Sequence, residues 1–134
     1  MAGYSKNPLI KKLGIKPDSK VLFINEPASF YKELGQLPTT VQISKTQSND
    51  FDYVHYFAYS KDELESFFKE VVKILKKDGM VWVSWISPSK DKSSKLNENI
   101  VREVGVQNGL VDVKVAAVDE KWSGLKFVYR LIDR

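Results

Sequence analysis

Val21-Leu22-Phe23-Ile24 is an unbroken apolar run closed by Asn25. A strand that is apolar at every position has no face to give to water. The run therefore predicts a strand, 21–25, buried on both faces of a parallel sheet, with helices above and below it. Residues 40–44, 52–58 and 80–86 read as further strands. Val111, Val113, Val115 and Ala117 alternate with Asp112, Lys114 and Ala116, the pattern of a strand with one partly wetted face near a sheet edge. Residues 125–132 are its expected partner.

Helical signals fall between these strands. Asn7 as cap, Pro8 at the first helical position and Gly14 as terminator predict a short N-terminal helix, a lid or prop over 1–15. Residues 28–34, after Pro27 and before Gly35, predict two helical turns. Ser60-Lys61-Asp62-Glu63 has the S-x-x-E spacing of a capping box. Leu64, Phe67, Phe68, Val71, Val72 and Leu75 then make one apolar stripe, with Lys61, Asp62, Glu65, Lys69 and Lys73 opposite. Lys76 and Lys77 suit the negative end of that helix, and Gly79 is its expected stop. Residues 87–95 form a polar loop. Residues 97–107 form a last helix, with Ile100, Val101 and Val104 inward and Asn108-Gly109 closing it. Alternation of this kind predicts one domain, 1–134, of the three-layer Rossmann-like α/β class. Its sheet would have about six mostly parallel strands, with an antiparallel C-terminal strand.

With 134 residues the chain can bury a core without staples, and the absence of cysteine excludes thiolate metal clusters, thiol nucleophiles and redox pairs. It suits a reducing compartment, so the cytoplasm is the expected location. No apolar stretch approaches the roughly 20 residues that span a bilayer, so no membrane is expected. The net charge of +4 comes from 18 Lys and 3 Arg scattered along the chain. Forked phosphate recognition favours Arg, so the excess reads as solvated surface and nucleic acid is not an expected partner. No D-x-D-x-D-G, H-E-x-x-H, G-x-S-x-G or G-x-x-x-x-G-K-[ST] motif occurs, and no metal is expected. His55, the one histidine, lies among Tyr53, Val54, Tyr56 and Phe57, which points to a hydrogen-bonded structural role.

Gly14-Ile15-Lys16-Pro17-Asp18-Ser19-Lys20-Val21-Leu22, Phe51-Asp52-Tyr53-Val54-His55 and Leu75-Lys76-Lys77-Asp78-Gly79-Met80-Val81 resemble segments of class I S-adenosylmethionine-dependent methyltransferases. The closing strand pair is similar to that family's terminal hairpin. The resemblance implies a cofactor loop D-x-G-x-G-x-G after the first strand, and there the chain departs. Phe23 stands in the place of the acid, and Asn25, Pro27 and Ser29 stand in the places of the glycines. Ile43-Ser44-Lys45 ends the second strand without the acid that would take the ribose. The interval between Asn25 and Asp52 is also short by about one helix-strand unit. No cofactor is therefore expected. Ala2-Gly3-Tyr4-Ser5, Val111-Asp112-Val113-Lys114-Val115 and the run from Val118 through Trp122 to Phe127 further resemble a small bacterial family catalogued only as a domain of unknown function.

In open α/β sheets ligands sit beyond the carboxyl ends of the strands, where strand order reverses. That rule selects Asn25 and Glu26, Tyr59, Ser87 and Lys90, and then Asp119, Trp122 and Ser123 from the last connection. The set would suit a small polar or planar ligand. Each residue has a plainer role as well: Glu26 at a positive helix end, Trp122 as a lid on the core, Asp119 in a solvated turn, Lys90 in a flexible loop. The expected function is a non-catalytic methyltransferase-like module that senses a small ligand or binds a protein. The alternative is a divergent methyltransferase, or another small enzyme, with Glu26, Tyr59, Asp119 and Trp122 around an altered pocket. An exposed edge at 41–44 would allow a homodimer.

Overall fold

The computed structural model describes residues 8–44 and 48–134. Helix α1 (Leu9–Leu13) leads into strand β1 (Lys20–Ile24) and helix α2 (Ala28–Leu34). Strands β2 (Gln42–Ile43) and β3 (Phe51–Phe57), helix α3 (Lys61–Val71) and strand β4 (Leu75–Ile86) follow. Helix α4 (Glu98–Gln107) and the hairpin β5 (Leu110–Ala117) and β6 (Trp122–Tyr129) come next, with a 3-10 turn at Leu131–Asp133. The expected α/β alternation is present. The six strands lie in the order β2-β1-β3-β4-β6-β5, with β2, β1, β3 and β4 parallel and β6 antiparallel to both neighbours.

Two apolar clusters flank the sheet. Helices α1 and α2 cover one face, where Leu13, Phe30 and Leu34 meet Val21, Phe23, Tyr53, Phe57 and Trp82. Helices α3 and α4 cover the other, where Leu64, Phe68, Val71, Val101 and Val104 meet Val54, Tyr56, Val81, Val83, Leu125 and Phe127. The caps explain where the two long helices start. Ser60 Oγ accepts from the Glu63 amide at 3.2 Å, and Asn97 Oδ1 accepts from the Ile100 amide at 2.9 Å. Gly14 ends α1 at φ 86°, a left-handed position that a side chain would strain. The Trp82 indole N–H donates to the Leu13 carbonyl at 2.7 Å and so pins α1 to the middle of the sheet. Pro8 sits just before α1 as its cap rather than in its first turn, and the expected cap Asn7 lies outside the described residues.

Several expected boundaries move. Helix α3 stops at Val71, not near Gly79, because Leu75 pairs with Phe51 and already belongs to β4. Gly79 lies in an irregular stretch of that ladder. A Cβ on it would stand 2.9 Å from the Phe51 carbonyl oxygen, so it is a sheet glycine rather than a helix stop. Lys76 reaches Asp52 at 3.1 Å across the same stretch. Strand β6 begins at Trp122 and ends at Tyr129, so Trp122 and Ser123 are strand residues, not part of the connection. Leu131 and Ile132 are exposed in the 3-10 turn rather than in a strand. Strand β1 also departs from expectation. Val21 and Phe23 are buried, but Leu22 and Ile24 on the opposite face are only half-buried, because α3 packs mainly over β3 and β4 and, among the described residues, no helix lies squarely over β1 on that side. In β5 the expected alternating apolar face is not the buried one: Val113 and Val115 are 54% and 50% exposed and Ala117 is exposed, while Leu110 and Ala116 are buried.

Candidate functional site

The order in which strands are added reverses between β1 and β3: α2 leads outward to β2, and the chain then returns to the other side of β1. The carboxyl ends of β1, β3 and β4 therefore open on one side of the sheet. The register Ile86↔Trp122 puts the β5–β6 connection, 118–121, on that side as well. Asn25 leaves β1 at φ 61°, a left-handed conformation that Asn tolerates better than most residues, and its Nδ2 donates to the Phe57 carbonyl at 3.5 Å. Glu26 takes a hydrogen bond from the Tyr31 hydroxyl of the following helix. Burial, and then the Glu26 carboxylate beside it, push that hydroxyl up to about 12. Tyr31 was not among the sequence candidates. Its spacing of five residues from Glu26, across the start of a short helix, was the available signal.

Tyr59 is 57% exposed and stands edge-on to Trp122, with ring centroids 5.4 Å apart. The Trp122 indole is itself buried and also meets Phe57 edge-on at 5.2 Å. Of this pair, Tyr59 is the ring that water reaches. Asp119 Oδ1 accepts from the amides of Lys121 and Trp122, both at 2.8 Å, and so holds the turn that starts β6. A cleft of about 220 Å3 lies between this turn and α2, lined by Ser29, Glu33, Asp119, Glu120 and Lys121. Ser123 lies in the β6 ladder opposite Trp85 and Ala117. Ser87 pairs its hydroxyl with Ser89 at 2.9 Å, and the Lys90 amide closes the same turn on the Ser87 carbonyl at 3.0 Å. Among the described residues, no hydrogen bond or ring contact joins the side chains of Ser87 or Lys90 to the other candidates.

Beneath this surface His55 is fully buried. Tyr53 Oη lies 3.0 Å from its Nδ1 and Ser84 Oγ 2.6 Å from its Nε2, so both ring nitrogens are satisfied. Burial lowers the imidazole to about 3, and the ring stacks on Phe57 with centroids 4.4 Å apart. It is a core residue. Among the described residues, no group of three or more His, Cys, Asp or Glu could hold a metal ion, and no helix is long and apolar enough to cross a membrane.

The turn from β1 into α2 decides whether an adenosyl nucleotide fits in its usual pose. Close approach there requires bare peptide and amide donors at the helix start. Here Pro27 caps α2 without an N–H, α2 is only seven residues long, and Phe23, in the position of the acid, is packed against Phe30, Tyr31 and Tyr53. At the end of β2 the exposed residues are Gln42 and Ile43. These residues do not fit the nucleotide in that pose.

A family model matches residues 41–131, from β2 to the 3-10 turn. The chain belongs to the family described as protein of unknown function DUF3052. No curated protein matches the sequence. Among solved structures the chain is similar to a TehB-like S-adenosylmethionine-dependent methyltransferase from Corynebacterium glutamicum, at 10% identity and a TM-score of 0.58, covering 96% of this chain and 91% of that one. It is similar to a methyltransferase from Aquifex aeolicus at 14% identity and a TM-score of 0.59, over 89% and 86%. A third is magnesium protoporphyrin IX methyltransferase from Synechocystis with bound S-adenosylmethionine, at 10% identity and a TM-score of 0.60, over 91% and 74%. At such identities the likeness establishes the fold: this member of the DUF3052 family has the Rossmann-like architecture of those enzymes.

Proposed function

We propose that this chain is a methyltransferase-fold module that does not use S-adenosylmethionine, and that it takes a small polar ligand or a protein partner at the carboxyl ends of its sheet. One observation carries the reading: the β1–α2 turn offers Pro27 and a left-handed Asn25, above a Phe23 sealed into an aromatic cluster. The ribose hydroxyls and the carboxylate of the amino-acid tail would meet side chains where they need peptide donors. The accessible polar groups lie a few residues away, at Tyr59 and along the cleft between Ser29, Glu33 and Glu120.

The test is calorimetric titration with S-adenosylmethionine and S-adenosylhomocysteine. No saturable binding at micromolar concentration is the expected result. Clear saturation, lost on Glu26→Ala or Asp119→Ala, would overturn the proposal in favour of a divergent methyltransferase with a rebuilt pocket. A thermal-shift screen of small polar metabolites supplies the positive arm, with Tyr59→Ala expected to abolish any shift.

A further inference from the structure

The pairing of β5 with β6 contains one extra residue. Asp112 faces Phe127 and Lys114 faces Lys126, which leaves Val113 without an opposite number. Side chains in a strand alternate between faces, so an unbroken strand would have put Asp112 and Lys114 on the same face. The bulge separates them. Asp112 goes to the α4 face, where its carboxylate takes Arg102 Nε at 2.9 Å. Lys114 goes to the α1 face, where its ammonium donates to the Lys12 carbonyl at 2.9 Å and sits across the ladder from Lys126.

Two cations directly opposite each other on a strand pair repel, and among the described residues neither lysine has an ion pair with a carboxylate. Lys126 is half-buried beside Trp82 in the next ladder. Burial lowers its ammonium from the usual lysine range, and the charges that add to this are two more cations, Lys114 and Lys16. The carboxylate nearest in sequence, Asp112, is held on the far face by Arg102. The Lys114 ammonium keeps two further N–H donors after its bond to the Lys12 carbonyl. The fold thus assembles positive charge at one spot through a bulge that costs it a neutralising neighbour.

We propose that Lys114 and Lys126 form a binding site for a small phosphate-bearing anion, separate from the carboxyl-end surface. Two flexible ammonium groups on facing positions of neighbouring strands suit a compact, doubly charged oxyanion. Phosphate carries close to two charges at neutral pH and several acceptor oxygens. The short cross-strand spacing favours such a group over an extended polyanion, which would need a stripe.

The probe is sodium pyrophosphate at low ionic strength, followed by calorimetry and by thermal melting. Saturable one-to-one binding is expected, with a rise in Tm as ligand is added. Lys126→Gln and Lys114→Gln should each weaken binding about tenfold, while Lys73→Gln, at the exposed end of α3 beside Glu70, should leave it unchanged. Without ligand, Lys126→Gln should melt no lower than the parent protein, since it removes a facing charge, and should gain little on adding pyrophosphate. Absence of saturation, or an equal loss in Lys73→Gln, overturns the proposal. So does a lower ligand-free Tm for Lys126→Gln, which would make that lysine structural. A single-stranded RNA oligonucleotide bound more tightly than pyrophosphate, with losses spread over all three variants, would replace it with a diffuse nucleic-acid surface.

Discussion

The two faces of β1 carry much the same kind of side chain and meet different fates. Val21 and Phe23 lie beneath α1 and α2 in an aromatic cluster with Phe30, Tyr53 and Phe57. Leu22 and Ile24, on the other face, are only half-buried, and Ile24 borders a cleft of about 460 Å3 beside α3. Tyr56 and Phe67 share that cleft, and Asp62, Glu63 and Glu70 rim it. Apolarity makes a residue want cover, but a helix must exist to provide it. Between Asn25 and Asp52 the described residues form α2 and the two-residue β2 and no further helix, and one side of β1 is left half-covered. Burial in this molecule is decided by connectivity as much as by composition.

The contrast can be pressed experimentally. Phe30→Ala should have the largest effect, a loss of about 3 to 5 kcal/mol in denaturant unfolding, because it empties the centre of the covered cluster where Phe23, His55 and Phe57 all touch the ring. Acid should come next. The folded pKa of His55 lies below its unfolded value, so between about pH 6.5 and pH 3 the unfolded chain binds the extra proton. The contribution is whole above pH 6.5. It falls by up to about 1.4 kcal/mol per pH unit on the way down, and His55→Gln should flatten that slope in a pH series of melts. Gly105→Ala tests the well-packed half of the α4 face, where an added Cβ would stand 2.2 Å from the Phe127 ring. A loss of about 1 to 3 kcal/mol is expected. Leu22→Ala on the half-covered face should cost less than about 1 kcal/mol. A loss matching Phe30→Ala would mean that this face is covered in solution.

Local signals were readable wherever one residue dictates a backbone state. Ser60 and Asn97 marked the starts of α3 and α4, Gly14 ended α1, and 28–34 held as a helix. What escaped were features set by pairing. Leu75 fits the helical stripe of α3 as well as it fits β4, and only its partner Phe51 decides between them. The alternation of Val111, Val113 and Val115 is perfect on paper, yet one unpaired residue moves the wet side of the strand. Of the carboxyl-end candidates, the strand order explains why Asn25, Tyr59 and Trp122 share one end of the sheet. The tie between Glu26 and Tyr31 depends on how α2 leaves β1. The acidic rim of Asp62, Glu63 and Glu70 was hidden because Asp62 reads as ordinary solvent-facing charge until, among the described residues, no helix is found squarely over β1.

The bond between Trp82 and Leu13 joins residues 69 positions apart. A ribosome makes α1 first, but the indole that anchors it emerges only after most of the sheet has been synthesised. During translation α1 must therefore wait for this bond until β4 has been made. With Trp85 and Trp122 replaced by Phe, the emission of Trp82 would mark the moment of arrival in a refolding experiment, since its N–H passes then from water to a peptide carbonyl.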